Sequence, residues 1–314
     1  MWAVGAGMHV RKLGEHLHLI DVEPAGLENF VASYVLRGTE AAIVESGPAS
    51  SVPNLLLGLK QIGVGPEEVS YVAVSHVHLD HGGGVGALVE RLPRAKVVVH
   101  SRGAPHLAHP EKLWQQSKEV LGGIAEFYGE PVPVPEDRIM PASDGMALDL
   151  GQGVGLRVVE TLGHASHHQS YLETFGGGVF PGDAAGIYLS QFDTVVPTTP
   201  APFRLDIALA SLDKLAGLGP TALYYSHFGP ASHAVERLRA YADQLRLWAR
   251  IVSDAIAEKQ GVEQMRERII RGDASIGKAV GFIDAHPVLG ETVFGNSVKG
   301  IAEFVAEHPR FLEP

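Results

Sequence analysis

The chain has 314 residues and no cysteine, with 45% hydrophobic and 19% charged residues and a formal net charge of −11. Those figures exclude disordered and fibrous classes, disulfides, thiolate metal sites and a cysteine nucleophile. The acidic balance also disfavours a nucleic-acid partner, because such binding draws on clustered Lys and Arg. No uncharged apolar run reaches the about 20 residues needed to span a bilayer. The opening residues show no basic leader ahead of an apolar run. A soluble cytoplasmic protein with no membrane partner is therefore expected.

Taken in order, residues 17–22, 30–36 and 41–44 are β-rich runs separated by Pro24, Gly26 and Gly38. Residues 51–62 change to a helical period, with Val52, Leu55, Leu56, Leu59 and Ile62 on one face. Residues 71–74 form a short, continuously apolar strand of the buried type. A second helix carries Val85, Leu88, Val89 and Leu92, and a strand follows at 96–99. Residues 103–136 read as an insertion or lid, amphipathic over 113–127 and ending in Pro131-Val132-Pro133-Val134-Pro135. Strands resume at 146–150, 156–162, 170–174 and 179–180, and a helix with Leu205, Leu209, Leu212 and Leu215 leads to a strand at 222–225. Two such blocks, each closing on a strand that delivers a histidine, predict an α/β fold of two sheets with helices outside, a four-layer αββα sandwich. Residues 231–314 read as a helical C-terminal extension to a catalytic domain at 1–230. Leu238, Tyr241, Leu245, Trp248 and Val252 form a narrow apolar stripe that must bury against the chain's own domain or a second subunit in a homodimer.

The sixteen histidines concentrate the chemistry. Ser75-His76-Val77-His78-Leu79-Asp80-His81-Gly82-Gly83 places three imidazoles and a carboxylate on the turn between a buried strand and a helix. A turn lets all four converge, whereas a continued strand would send His76 and His78 to one face and His81 to the other. Neutral imidazoles with a carboxylate suit zinc, and also iron or manganese.

This stretch resembles the His-x-His-x-Asp-His signature of the metallo-β-lactamase superfamily, and the resemblance covers residues 15–230. It continues through Leu162-Gly163-His164-Ala165, Pro181-Gly182-Asp183 and Tyr225-Ser226-His227-Phe228-Gly229. The resemblance implies two divalent metal ions, zinc foremost. His76, His78 and His164 would hold one ion and Asp80, His81 and His227 the other, with Asp183 and a hydroxide between them. Two positions depart from the family pattern. Glu45-Ser46-Gly47 stands where Asp-x-Gly is usual, and the third motif reads Gly163-His164-Ala165-Ser166-His167-His168. His168 is expected to pack or hydrogen-bond near the site. His9, His16, His18, His106, His109, His233, His286 and His308 are expected to be ordinary histidines, and so is His100, for which support of the site from behind is the lesser alternative.

A two-metal site can generate hydroxide at neutral pH and polarise an acyl or phosphoryl oxygen, so no serine or cysteine nucleophile is needed. Asp80 can orient the hydroxide and carry a proton. The expected activity is hydrolysis of a small-molecule acyl substrate, a thioester, lactone or ester. Residues 191–206 should run near the pocket, with Tyr188 and Phe203 lining it and Tyr188 donating to a developing oxyanion. The alternatives are a phosphodiesterase and, from another class, an iron-dependent persulfide dioxygenase, which the family includes with the same motif.

Overall fold

The computed structural model describes residues 10–311. They form two compact units: one runs to Ala142 and also holds Ala147–Leu156, and the other comprises Ser143–Met146 and the chain from Arg157 onward. His9 and the stretch read above for a leader lie outside the described residues.

In the first unit, β1 (Val10–Lys12), β2 (Leu17–Asp21), β3 (Ala32–Arg37), β4 (Ala41–Val44), β5 (Val69–Ala73), β6 (Lys96–His100) and β7 (Ile139–Ala142) form one sheet in chain order. The strands pair antiparallel from β1 to β4 and parallel from β4 to β7. Each parallel step needs a crossover. Helix α1 (Val52–Gln61) supplies the first, and α2 (Leu79–Gly82) with α3 (Val85–Val89) the second. The third, within the stretch read above as an insertion, contains α4 (Ala104–Ala108), α5 (Glu111–Leu121) and α6 (Gly123–Tyr128). Ile43, Val44, Val72, Val97, Val98 and Val99 are fully buried. That burial explains why β4 to β6 read as continuous apolar runs without alternation. The insertion lies close on the site's own helices. Helix α6 packs against α2, and a Cβ on Gly86 of α3 would sit 1.9 Å from the Val132 carbonyl, so only glycine admits the proline run there. β8 (Ala147–Asp149) also belongs to this unit, and the Leu150 carbonyl just after it accepts the N–H groups of Thr39 and Glu40.

In the second unit, β9 (Gly155–Glu160), β10 (Gln169–Glu173) and β11 (Val179–Phe180) precede a small hairpin, β12 (Ile187–Leu189) and β13 (Thr194–Val196). Helix α7 (Leu205–Gly217) then leads to β14 (Leu223–Tyr225) and β15 (Gly229–Ala231). β15, β14, β11, β10 and β9 are neighbours in that order. Four helices follow: α8 (Ala234–Ala257), α9 (Val262–Gly272), α10 (Ala274–Ala285) and α11 (Leu289–Glu307). Leu238, Tyr241, Leu245, Trp248 and Val252, the apolar stripe, are all buried on α8. They are covered from within the chain, because α8 packs against α7, α9 and α11.

Several strands had no legible pattern. β1 is Val-Arg-Lys on a sheet edge, and β7 contains Pro141, which an edge strand tolerates because one side needs no N–H donor. The hairpin β12–β13 and β15 are three residues per strand, too short for alternation to register. The second predicted helix stops at Val89 rather than Leu92.

One buried carboxylate ties the C-terminal helices together. Asp273 caps α10 by accepting the N–H groups of Ser275 and Ile276, and it also accepts Trp248 Nε1–H from α8 at 2.9 Å. Burial alone would raise its pKa, but hydrogen bonds from Ser275, Gln244 and Trp248 outweigh this and hold the carboxyl below its usual value. A depressed folded pKa gives stability that is present above the unfolded value of about 3.9 and is lost as pH falls through the folded value. Asp273→Ala should therefore cost about 2–4 kcal/mol at neutral pH in denaturant unfolding, from the lost cap and a buried indole N–H deprived of its acceptor. The difference from wild type should shrink as pH drops below about 4. An unchanged midpoint at neutral pH would refute the role.

Candidate metal centre

The His-rich turn begins where β5 runs out of partners. Val74 N–H still donates to Val98, and then the chain leaves the sheet and enters α2, whose first turn closes with His81 N–H and Gly82 N–H on the His78 carbonyl. The His81 carbonyl is in turn held by Ser46 through its N–H and its hydroxyl. Glycine is needed here: a Cβ on Gly82 would press on the His76 carbonyl, and one on Gly84 on the carbonyls of Gly47 and Pro48.

His76 and His81 are fully buried. The His76 ring lies 4.4 Å from that of His78 and 4.2 Å from that of His81, centroid to centroid. His76 Nε2 and His78 Nδ1 are 2.8 Å apart, and Ser75 Oγ meets the other nitrogen of His76 at 2.9 Å. Three imidazoles this close would repel one another if protonated, whereas neutral rings with converging lone pairs could hold a cation. Glu45 stands behind them, buried and with a left-handed φ of 66°. One carboxylate oxygen accepts Ser75 N–H at 3.3 Å and the other faces His81 Nδ1 at 3.5 Å. The longer acid therefore still reaches the loop that the family's aspartate is expected to support. Asp80 Oδ2 lies 3.8 Å from His81 Nε2.

In the second unit His164 follows β9 on a turn at Gly163, whose φ is 127° and whose Cβ would strike Ala208 of α7 at 2.6 Å. His164 Nδ1–H donates to the Thr198 carbonyl at 2.9 Å, which leaves Nε2 as the lone-pair nitrogen. That nitrogen is 3.7 Å from Asp183 Oδ2, while His227 Nε2 is 3.8 Å from Asp183 Oδ1. All three residues are buried. Asp183 sits on a 3-10 turn after β11, and its own N–H donates to His168 Nε2 at 3.1 Å. An accepting Nε2 puts the His168 proton on Nδ1, which lies 3.0 Å from Thr161 Oγ1. Thr161 Oγ1 is 2.8 Å from Ser170 Oγ, which donates to the Pro181 carbonyl. His168 thus hydrogen-bonds near the site, as expected, and it does so by fixing the backbone of Asp183.

His76, His78, Asp80, His81, His164, Asp183 and His227 are the described residues whose donor atoms make up groups able to hold a metal ion. The donor set, five imidazoles and two carboxylates with no thiolate, fits zinc and tolerates iron or manganese.

Tyr188, expected to face an oxyanion, is buried on β12. Its hydroxyl donates to Asp193 Oδ1 at 2.9 Å, its ring stacks on Tyr225, and Arg237 lies over it 4.8 Å from the centroid. Burial and the Asp193 hydrogen bond push the Tyr188 hydroxyl's pKa above its ordinary value, whereas hydrogen bonds from Arg237 and Tyr188 lower that of Asp193. Phe203 is buried beside Leu162, His164 and Tyr241. His100 is buried at the end of β6 and accepts Arg102 N–H. His16, His233 and His308 sit at strand or helix ends, as expected for ordinary histidines.

Sequence reasoning missed Thr198 and the elements that clamp it. Thr199 N–H donates to Ser297 Oγ of α11, Ser297 Oγ donates to the Pro197 carbonyl, and Thr199 Oγ1 donates to the Ser297 carbonyl. The Thr198 backbone also hydrogen-bonds Tyr241 of α8. Nothing in the run Val196-Pro197-Thr198-Thr199-Pro200 announces such a role. The only hint is a pair of prolines bracketing two threonines.

The Metallo-beta-lactamase superfamily profile matches residues 26–227. The chain is 29% identical over 224 residues to the metallo-beta-lactamase fold-containing protein ST1585 of Sulfurisphaera tokodaii, covering 69% of this chain and 79% of that protein. It is 29% identical over 208 residues to a hydroxyacylglutathione hydrolase of Cupriavidus taiwanensis, covering 65% of this chain and 64%, less than two thirds, of that enzyme. Among solved structures, the metallo-beta-lactamase family protein TTHA1429 of Thermus thermophilus shares the fold with a TM-score of 0.68 at 23% identity, over 95% of both chains. The α/β fold class expected above is thus that of these relatives, and the chain belongs to the metallo-β-lactamase superfamily.

Proposed function

We propose that the chain is a dinuclear zinc hydrolase acting on a small acyl substrate, a thioester, lactone or ester. Residues 1–230 would form its catalytic domain, with 103–136 as a lid, and 231–314 a helical extension. The observation that carries this reading is the carboxylate of Asp183, one oxygen facing His164 at 3.7 Å and the other facing His227 at 3.8 Å. These distances are too long for hydrogen bonds. They suit donors that share cations, since ligands on one zinc with bonds of about 2.0–2.2 Å lie on the order of 3–4 Å apart. Two donor groups support the assignment of ions: His76, His78 and His164 for one, Asp80, His81 and His227 for the other. The third group, His76, His81 and Asp183, agrees with a shared role for Asp183.

Bound divalent ions would supply a water acidic enough to ionise near neutral pH and a Lewis acid for the acyl oxygen. The chain's residues do the rest. The hydrogen bond to the Thr198 carbonyl orients the imidazole of His164, the Glu45 carboxylate faces that of His81 at 3.5 Å, and the His168 relay holds the Asp183 turn. The Asp80 side chain keeps 22% of its surface exposed, so it can take a proton from the nucleophile and pass it to the leaving group. The similarity to a hydroxyacylglutathione hydrolase supports an acyl substrate. For Tyr188 to serve an oxyanion, its hydroxyl must leave Asp193.

Purified protein should carry two zinc ions per chain and hydrolyse thioesters or lactones in preference to phosphodiesters and β-lactams. A single iron with oxygen uptake on a persulfide would instead establish the dioxygenase reading. Asp183→Asn should lower occupancy of both metal sites and reduce turnover by more than about 100-fold. His227→Ala should empty chiefly one site by elemental analysis. If His227→Ala empties both sites while Asp183→Asn retains both, the shared ligand is misassigned.

Two further substitutions separate support from chemistry. Thr161→Val removes the acceptor of His168 Nδ1–H, and should cost about 1–3 kcal/mol of stability and about 10–100-fold in metal affinity. Metal affinity equal to wild type would show that the relay does not position Asp183. Tyr188→Phe should lower kcat by about 10²–10³ with metal content unchanged if the hydroxyl serves an oxyanion, and unaltered kcat would remove that role.

A further inference from the structure

Beside His227 lies a cluster of rings that the metal chemistry does not use. Phe228 follows His227 directly and has a left-handed φ of 62°, a conformation that a bulky residue rarely adopts and that turns its side chain away from the path of β14. Its ring meets Phe282 of α10 at 6.1 Å between centroids. Phe282 also meets Phe192, from the turn between β12 and β13, at 5.6 Å, and His286 at 5.6 Å. Phe228 and His286 are 6.0 Å apart. All four are only partly buried. They therefore form an apolar wall that keeps accessible surface within reach of a proposed metal ligand, with Phe282 and His286 contributed by the helical extension.

The wall is fixed from behind. His286 Nδ1 accepts the N–H groups of Val288 and Leu289 at the start of α11, which locks its ring at the α10–α11 junction. His286 lies close enough to His227 for the two rings to interact electrostatically, and burial together with that neighbour lowers its pKa. Two guanidinium groups pair with acids that flank wall residues. Arg237 pairs with Asp193, next to Phe192, and Arg266 pairs through both oxygens with Asp284, two residues after Phe282. A substrate carboxylate would find those cations spent, whereas an alkyl chain or ring would find three phenyl faces.

We infer that Phe192, Phe228 and Phe282 form the acyl-binding wall of the site, so that the substrate is an ester, thioester or lactone with an extended apolar acyl group. This rests on the hydrolase reading above and sharpens it from any small acyl compound to one selected by its apolar tail. Phe282 and Phe192 are specificity-determining residues and take no part in the chemistry. Each methylene withdrawn from water is worth about fourfold in kcat/KM, so a wall that covers two of them should favour a long chain by about 15-fold.

The test compares acetyl and octanoyl thioesters of one thiol on the wild-type full-length protein, Phe282→Ala and Phe192→Ala. Thermal shifts with acetate and octanoate give a readout that needs no turnover. Wild type should prefer the octanoyl substrate. Phe282→Ala should cut that preference by about 10-fold through KM. Octanoate, and not acetate, should raise the wild-type Tm, with the shift much reduced in Phe282→Ala. Equal preference and equal shifts in wild type and both variants would overturn the wall. So would a wild type that turns over the acetyl and octanoyl thioesters equally. If no acyl compound is turned over but the octanoate shift still depends on Phe282, the hydrolase reading falls and the apolar subsite stands.

Discussion

His164 can offer only one nitrogen to a cation, and the hydrogen bond from its other nitrogen to the Thr198 carbonyl decides which. That carbonyl belongs to a segment with no regular structure of its own, so something outside must hold it. Ser297 supplies hydrogen bonds on both sides of Thr198, and α11 approaches so closely that a Cβ on Gly300 would lie 1.9 Å from the Thr199 carbonyl. Tyr241 of α8 holds the same segment from another side. The C-terminal helices are therefore a structural part of the donor set. Their own packing, through Trp248 and Asp273, reaches the site by way of residues 197–199.

A comparable arrangement recurs at two more of the candidate donors. Glu45 backs His81 and the Ser75 backbone, and His168, through Thr161 and Ser170, backs the Asp183 turn. Buried imidazoles and carboxylates pay a desolvation penalty unless every polar atom has a defined partner, and a partner also fixes orientation. The departures from the family pattern fit this scheme. A glutamate replaces the usual aspartate after β4 and still spans from the Ser75 backbone to His81. The extra histidine at 168 occupies a polar position that helps to close the relay.

Much of this was legible in the residues. Val72 to His81 reads as a buried strand followed by a ligand turn, because three imidazoles and a carboxylate have few other reasons to share six residues. The continuous apolar run at residues 71–74 read as a strand of the buried type, and the structure pairs it parallel with both its neighbours. The stripe on α8 gave the long helix and its buried face, and left its covering partner open. β1, β7 and the hairpin β12–β13 were illegible, because strands of three or four residues take their conformation from the neighbour they pair with. Phe282 and Phe192 were illegible as a pair, since 90 residues separate them and each is ordinary in its own segment.

The sequence by itself determined the class of fold and picked out the candidate donors. Both are local properties: a ligand set lies in residue chemistry at short spacing, and strands and helices in the period of apolar residues. Tertiary structure alone decided which nitrogen His164 presents, since the Thr198 carbonyl that sets its tautomer lies 34 residues away in the chain. It also decided that a helix beginning near residue 289 should clamp a loop near residue 198, a pairing 98 residues apart. Such contacts leave no periodic trace, because one hydrogen bond between distant segments constrains only the two residues that make it.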